Sequence, residues 1–147
     1  MGHFPINHHL RPLYRALAGL AGVFLLVLGV IGVTRTSGLD AFAREDLPWI
    51  FGMRVNPAFA WLSIILGAVV VLGAVLGRNI DYFVNWTIGV LLMVLGTAAL
   101  AYLQTDANIL AFSMTNVIGV YLLAIVIFTA GLYSRVGDPE KIDAAAH

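Results

Sequence analysis

The chain has 147 residues, of which 61% are hydrophobic and 11% are charged, with eight basic residues balanced by eight acidic ones and no cysteine. Soluble domains carry roughly 25% charged residues, so this chain lacks the charge needed to solvate a small globule. The high hydrophobicity excludes a disordered chain, and the lack of a basic excess argues against nucleic-acid binding. Without cysteine there is no disulfide framework or thiolate metal site. The composition therefore predicts an integral membrane protein.

The charged residues leave four long stretches without any charge. These stretches cover residues 16–34, 55–77, 82–105 and 107–134. A helix needs about 20 apolar residues to cross the hydrocarbon core of a bilayer, and each stretch meets that length. The apolar runs are continuous and lack the alternation of a membrane β-barrel. We therefore predict an all-α bundle of four transmembrane helices, at about 14–34, 57–77, 82–103 and 112–133.

The chain then divides into three parts. Residues 1–13 are an N-terminal segment, residues 14–134 are the transmembrane domain with an outer loop at 35–56, and residues 135–147 are a C-terminal tail.

The distribution of basic residues indicates the orientation, because basic residues prefer short cytoplasmic segments. Five of them lie on the side of the two termini and three in the outer loop, where acidic residues offset them. Both termini are therefore predicted to be cytoplasmic, in the inner (plasma) membrane.

Capping residues mark the starts of the second and third helices, and the loop before the second helix has two interpretations. Asn56 before Pro57 is typical of the start of a helix, and Asp81 is expected to cap the third helix in the same way. The loop at 35–56 mixes apolar with charged residues, so part of it could lie in the membrane interface. We favour the simpler interpretation, in which the loop only spans the gap between the first two helices.

An eight-residue motif occurs twice in the chain. Residues 22–29 read GVFLLVLG and residues 89–96 read GVLLMVLG, so six of eight positions are identical at an offset of 67. The first and third helices have the same direction in the predicted topology, which is consistent with a duplicated two-helix hairpin. The match does not extend into the fourth helix at this offset, so chance similarity between apolar helices stays an alternative.

Glycines recur on one face of three predicted helices. Small residues let helix backbones approach closely in a membrane. These faces could pack the four helices together, which we favour, or dock onto other membrane-protein helices in a hetero- or homo-oligomer. The glycines concerned are Gly22, Gly29, Gly67, Gly73, Gly77, Gly89 and Gly96.

The four charge-free stretches that form the predicted spans contain no Asp, Glu, Lys, Arg or His. Ionisable residues within the membrane mark proton relays, ion-coupled carriers and voltage sensors, and histidines within the spans would be needed to hold haem there. His3, His8 and His9 are too close together and too near the terminus to form a closed metal site alone. We therefore expect no enzyme activity, no metal and no cofactor.

Three polar residues in the spans are candidates for specific contacts. Asn85 and Asn116 each carry an amide that must find donors and acceptors in the bilayer. They lie toward opposite ends of the predicted bundle, so they cannot form one site. Each is expected to contact a neighbouring helix or a lipid headgroup. Tyr121 could line a cavity between helices together with Phe and Met side chains.

The order of these features resembles a known family. A Gly-rich first helix follows Arg15, then come a polar outer loop, the motif Phe51-Gly-Met-Arg-Val-Asn56-Pro and three further spans, with Met114-Thr-Asn116 opening the fourth. The pattern is similar to the small four-helix membrane proteins, common in actinobacteria, that are catalogued as domain of unknown function 4383. The resemblance implies a fold and a membrane location, with no activity. Members typically carry histidines beside the two asparagines, and this chain does not.

Two functions fit these observations. The first is a non-catalytic accessory or structural subunit that docks onto a larger inner-membrane complex, for example a respiratory or lipid-export complex. The alternative is a binding module or minor carrier for a lipid or quinone-like hydrophobic ligand. Small size and the lack of ionisable groups in the spans favour the first, whereas an apolar cavity near Asn85 or Asn116 would favour the second. The lipid bilayer is a partner in both cases.

The predicted orientation can be tested with single cysteines. We expect the variants Gly2→Cys and Ala145→Cys to be protected from a membrane-impermeant thiol reagent in intact cells and Ser37→Cys to be labelled, because the outer loop faces away from the cytoplasm. Permeabilised cells are the control, in which all three react. Labelling of either terminus in intact cells would contradict the cytoplasmic orientation.

Overall fold

The computed structural model describes residues 6–137, so the predicted terminal segments lie partly outside the described residues, at 1–5 and 138–147. All four of its helices are long and apolar enough to cross a membrane, by length and composition. The predicted all-α four-helix membrane bundle is confirmed. In chain order the elements are α1 (Arg11–Arg35), β1 (Trp49–Ile50), β2 (Met53–Arg54), α2 (Pro57–Leu76), α3 (Ile80–Tyr102) and α4 (Met114–Leu132).

The helix starts follow local capping chemistry, with one exception to the sequence prediction. The side chain of Asn56 caps α2, since its Oδ1 accepts a hydrogen bond from the backbone N–H of Phe59 at 2.9 Å. The N-cap of α3 is Asn79, and Asp81 lies inside the first turn. The prediction that Asp81 caps this helix is therefore wrong. Its carboxylate is instead paired with Arg11 on α1.

The four helices form a ring in which each packs against its two neighbours in the chain, and α1 closes the ring against α4. The most extensive contacts are within the pairs α1–α2 and α3–α4, so the bundle consists of two helical hairpins. Because successive helices alternate in direction, the start of α1, the α2–α3 turn and the end of α4 lie at one end, which we call the terminal face. The α1–α2 and α3–α4 loops lie at the other end, the loop face.

The two hairpins correspond residue by residue. Residues of α3 align with those of α1 at the offset of 67 that relates the two copies of the repeated motif. Residues of α4 align with those of α2 at an offset of 57, because the loop at 103–113 is ten residues shorter than the loop at 36–56. At these offsets every buried residue of α2 aligns with a buried residue of α4. Most buried residues of α1 align with buried residues of α3. The agreement between α2 and α4 is in burial and not in residue identity, since only Leu66 with Leu123 and Val69 with Val126 are identical at the offset of 57. The matching burial supports the duplicated-hairpin interpretation.

Glycines bring the two helices of each hairpin into backbone contact. A Cβ atom on Gly29 would lie 2.6 Å from the carbonyl oxygen of Ala60 and 2.8 Å from the amide nitrogen of Ile64 on α2. A Cβ atom on Gly89 would lie 2.8 Å from the Cα atom of Phe128 on α4. Only glycine fits at such distances, and close approach increases the van der Waals contact that drives helix association in lipid.

The other predicted glycines also lie against the chain's own atoms. These faces are therefore occupied inside the bundle and offer no free surface to a helix of another protein. At each of these glycines a Cβ atom would lie within 3.4 Å of an atom of a neighbouring residue. The pairs are Gly22 with Val71, Gly67 with Gly22, Gly73 with Val84, Gly77 with Arg15, and Gly96 with Tyr121.

The substitution Gly29→Ala is expected to destabilise the bundle by about 1–3 kcal/mol, because the added methyl group must displace the α2 backbone. The control is Gly19→Ala on the same helix, where a Cβ atom would make an ordinary 3.6 Å contact with Ala74. This control is expected to be neutral or stabilising by up to about 1 kcal/mol, since alanine favours helix. Unfolding in detergent measures both. Equal stability of the two variants would contradict the packing role of Gly29.

Candidate functional site

The loop between α1 and α2 carries a short β-hairpin that is inserted between α1 and α4. Ile50 lies opposite Met53 in the antiparallel pair of β1 and β2, and Phe51 and Gly52 form the two-residue turn. Ile50, Met53 and the following Val55 are buried in the hydrophobic core. The interpretation that this loop only spans the gap between two helices is therefore wrong, because its apolar residues fill space inside the bundle.

The tip of the hairpin reaches the middle of α1. The ring of Phe51 lies 5.5 Å from the ring of Phe24, centroid to centroid. Phe24 is eleven residues from Arg35 at the loop-face end of α1, which corresponds to about 16 Å along the helix axis. The hairpin is thus re-entrant, since it starts and ends at the loop face and its tip points toward the centre of the bundle.

Side chains of α4 satisfy the backbone of this hairpin. The Oδ1 atom of Asn116 accepts from the backbone N–H of Arg54 at 2.9 Å, and its Nδ2 donates to the carbonyl oxygen of Arg54 at 2.7 Å. The hydroxyl of Thr115 donates to the carbonyl oxygen of Gly52 at 2.7 Å. Non-helical backbone at membrane depth is tolerated only where the protein satisfies its polar groups. The fully buried Asn116 amide therefore takes the place of a third strand beside β2.

Two further contacts join the loops at the loop face. The Nδ2 atom of Asn56 donates to the carbonyl oxygen of Ile109 at 3.0 Å and to that of Ala43 at 3.3 Å. Arg44 forms an exposed ion pair with Asp106 at 3.2 Å. The loop before α2 is thereby tied to the loop before α4, which holds the base of the hairpin in place.

Between the hairpin and the terminal face, α1 and α4 enclose an apolar groove with a volume of about 600 Å³. Its side toward the outside of the bundle is open, since Leu20 and Leu122 are 66% and 60% exposed. The hairpin closes the end of the groove nearest the loop face. We define this groove by six of its lining residues: Leu17, Leu20 and Phe24 of α1, Phe51 of the hairpin, and Ile118 and Leu122 of α4.

Phe51 adopts a conformation that is costly for its side chain. Its φ angle is +51° and that of Gly52 is +80°, the combination that two-residue hairpin turns normally build from asparagine and glycine. A bulky residue in this region costs on the order of 1–3 kcal/mol, and such strain is concentrated at functional sites. The side chain is 61% exposed, so burial within the chain does little to offset the cost. This strained backbone conformation places the ring of Phe51 over the end of the groove.

A buried ion pair links the helices near the terminal face. Nη2 of Arg11 donates to both carboxylate oxygens of Asp81, at 3.1 and 3.3 Å, and its Nε donates to the carbonyl oxygen of Ser134 at 2.8 Å. Asp81 is fully buried. The expectation that the transmembrane helices hold no ionisable group is therefore wrong at the helix ends. The first turn of α3 includes Asp81, and α1 includes Arg11, Arg15 and Arg35.

Aromatic rings from three segments meet at the terminal face, between α1 and α4. The rings of Tyr14 and Tyr133 are stacked with their centroids 4.8 Å apart. The imidazole of His8 lies edge-on to both, at 6.1 Å from Tyr14 and 5.3 Å from Tyr133. We call these three residues the terminal aromatic cluster. Both tyrosines are partly buried, as expected for rings at the boundary between lipid and water.

The structure separates the three polar residues that the sequence singles out. Asn116 binds the hairpin, whereas Asn85 is fully buried with neither amide atom hydrogen-bonded to any described residue. The hydroxyl of Tyr121 shares a 2.7 Å hydrogen bond with that of Thr97, which joins α4 to α3. None of the three lines the groove. Phe24, Phe51 and Met53 do line it.

The sequence signal for the hairpin is present but weak. Residues 49–55 read WIFGMRV, a run of apolar residues centred on Gly52 and bounded by Pro48 and Asn56. Two-residue turns are normally recognised by an Asn-Gly or Asp-Gly pair. Here Phe51 occupies the position of the asparagine, so the usual signal is missing.

The histidines of the described part of the chain do not form a metal centre. The rings of His8 and His9 are stacked with centroids 4.5 Å apart. Within residues 6–137 there is no group of three or more His, Asp or Glu side chains that could hold a metal ion.

Residues 15–133 match the family model described as Domain of unknown function (DUF4383). The match extends from the first turns of α1 to the end of α4 and so includes the hairpin and the groove. The chain belongs to the DUF4383 family. No curated protein and no solved structure matches it. Membership and the four apolar helices together make this DUF4383 protein a small multi-pass membrane protein.

The substitution Asn116→Ala is expected to destabilise the protein by about 1–3 kcal/mol, because it leaves buried polar groups of Arg54 without partners. Hydrogen exchange at the Arg54 amide should accelerate. Asn116 also caps α4 together with Ser113, so the control is Ser113→Ala, which weakens the cap by about 0.5–2 kcal/mol and leaves exchange at Arg54 slow. Slow exchange at Arg54 in both variants would contradict the role of Asn116.

Proposed function

We propose that this DUF4383 protein is a non-catalytic binding module that holds the hydrocarbon chain of a lipid-like ligand in the groove between α1 and α4. The observation that carries the proposal is the strained Phe51, whose exposed ring closes one end of an otherwise apolar groove. A bound chain would complete the contacts that this ring lacks within the protein. The strain would then serve ligand binding rather than folding.

The size and the lining of the groove support this proposal. Small-molecule sites commonly enclose about 300–1,000 Å³ and are lined mainly by apolar and aromatic side chains. Transfer of a chain from lipid into an apolar groove gains little from the hydrophobic effect, because both surroundings are apolar. The gain comes from dispersion contacts, which increase with closeness of fit. The rings of Phe24 and Phe51 supply such contacts.

The groove lining supports a non-catalytic role. Thr115 is the one polar side chain among the residues that line the groove, and its hydroxyl donates to the hairpin backbone. Acid–base catalysis along the bound chain would need a titratable side chain in this lining, and the lining residues include none.

A second candidate is an accessory subunit of a larger inner-membrane complex, with both termini in the cytoplasm. It is favoured by Phe42 and Trp49, which are more than half exposed in the loop before α2. Exposed aromatic residues of this kind are common in protein interfaces. Such docking would not use the predicted glycine faces, since these are occupied inside the bundle.

The chain-binding proposal is tested by filling the groove. The protein is solubilised gently at native expression level, and bound lipid is measured by native mass spectrometry. The wild type is expected to retain one chain-bearing ligand per protein, and Leu122→Trp to lose it, because the indole occupies the groove. The control is Leu72→Trp on α2, a leucine outside the groove with nearly the same exposure, 59% against 60%.

Equal retention by wild type, Leu122→Trp and Leu72→Trp would contradict chain binding in the groove. The same purification tests the second candidate. Stoichiometric comigration with a larger complex, without a retained ligand, would favour the accessory subunit over the binding module.

A further inference from the structure

We infer that the ligand is a phospholipid from the leaflet at the terminal face, with one acyl chain in the groove and its phosphate against the terminal aromatic cluster. This inference rests on the proposed chain-binding function and adds the headgroup chemistry and the leaflet. Neither is implied by an apolar groove alone.

The shape of the groove sets the direction of the ligand. The hairpin closes the groove toward the loop face, where Phe51 packs on Phe24. At the other end, Tyr14 precedes the groove residue Leu17 by three positions on α1, which puts both on one face of the helix. Tyr133 follows Val126, which also lines the groove, by seven positions on α4, about two helical turns. The open end of the groove therefore leads to the terminal aromatic cluster.

The cluster presents hydrogen-bond donors that suit a phosphate. Tyr14 and Tyr133 each carry a phenol hydroxyl, which can donate to a phosphate oxygen. The Nδ1 atom of His8 accepts a hydrogen bond from the backbone N–H of Leu10 at 3.2 Å. In a neutral imidazole the proton is then on Nε2, which leaves that nitrogen as a donor. Three donors from three segments thus lie within one group of packed rings.

Within residues 6–137 the terminal face carries more basic than acidic side chains, and the tail beyond residue 137 adds one lysine and three acidic residues to this side. The described charged residues of this face comprise four arginines and a single carboxylate, Asp81, which is buried and paired with Arg11. Basic groups beside a membrane attract anionic lipid headgroups. The remaining arginines of this face are Arg15, Arg78 and Arg135.

The test compares two lipids with identical acyl chains, phosphatidylglycerol and diacylglycerol, offered in equal amounts to delipidated protein. The bound lipid is measured by native mass spectrometry. The wild type is expected to favour phosphatidylglycerol by about tenfold, the factor expected for one strong hydrogen bond. The double variant Tyr14→Phe with Tyr133→Phe keeps the stacked rings and removes both hydroxyls. It should still bind a chain, with the preference reduced to about twofold or less.

Two controls separate the headgroup inference from the chain-binding proposal. Tyr102→Phe removes an exposed hydroxyl at the loop-face end of α3 and should leave the preference unchanged. Leu122→Trp should abolish binding of both lipids. Equal binding of both lipids by the wild type, still abolished by Leu122→Trp, would overturn the headgroup inference and leave chain binding intact. No binding of either lipid would overturn both.

The leaflet is tested with Arg35→Gln, since Arg35 is the exposed arginine at the loop-face end of α1. We expect this variant to keep the wild-type preference for phosphatidylglycerol. Loss of the preference in Arg35→Gln, with no loss in the double tyrosine variant, would put the phosphate at the loop face and overturn the inference.

Discussion

The pairing of the Asn116 amide with the backbone of Arg54 is the interaction on which the rest of this structure depends. Strands are rare inside a membrane bundle because their free backbone groups have no water to bind. Asn116 supplies both a donor and an acceptor from a fully buried position on α4. The hairpin can therefore lie between α1 and α4. Without it, the groove would have no closed end and Phe51 no fixed position.

The two helical hairpins are nearly equivalent in their buried positions, yet their loops are not. The ten additional residues of the first loop include the β-hairpin, which inserts at the seam between α1 and α4. The opposite seam, between α2 and α3, is closed by a short turn at the terminal face. The hairpin thus makes the α1–α4 side of this duplicated scaffold different from the α2–α3 side. The groove forms on the α1–α4 side because the hairpin fills only the part of the seam near the loop face.

The same geometry bears on both proposed functions. The glycine faces were expected to pack the bundle or, as the alternative, to dock onto other proteins, and they lie against the chain's own atoms at close distances. What remains at the surface is a groove with an aromatic ring at one end and hydrogen-bond donors near the other. A ligand with a hydrocarbon chain and a polar headgroup fits such a groove better than the flat surface of a helix from another protein would. Among the polar residues of the helices, Asn116 binds the hairpin and Tyr121 joins α4 to α3.

The sequence by itself determined the membrane class, the four helices and the cap of α2 by Asn56, because these depend on local composition and nearest-neighbour chemistry. It also contained the repeated glycine motif of α1 and α3, whereas α2 and α4 correspond in their buried positions and hardly in residue identity. Only the tertiary structure decided the partner of Asp81, the insertion of residues 49–55 and the role of Asn116. Each of these depends on residues about 60 or more positions apart in the chain. Local pattern carries no information about such contacts, since they form only when the helices pack around them.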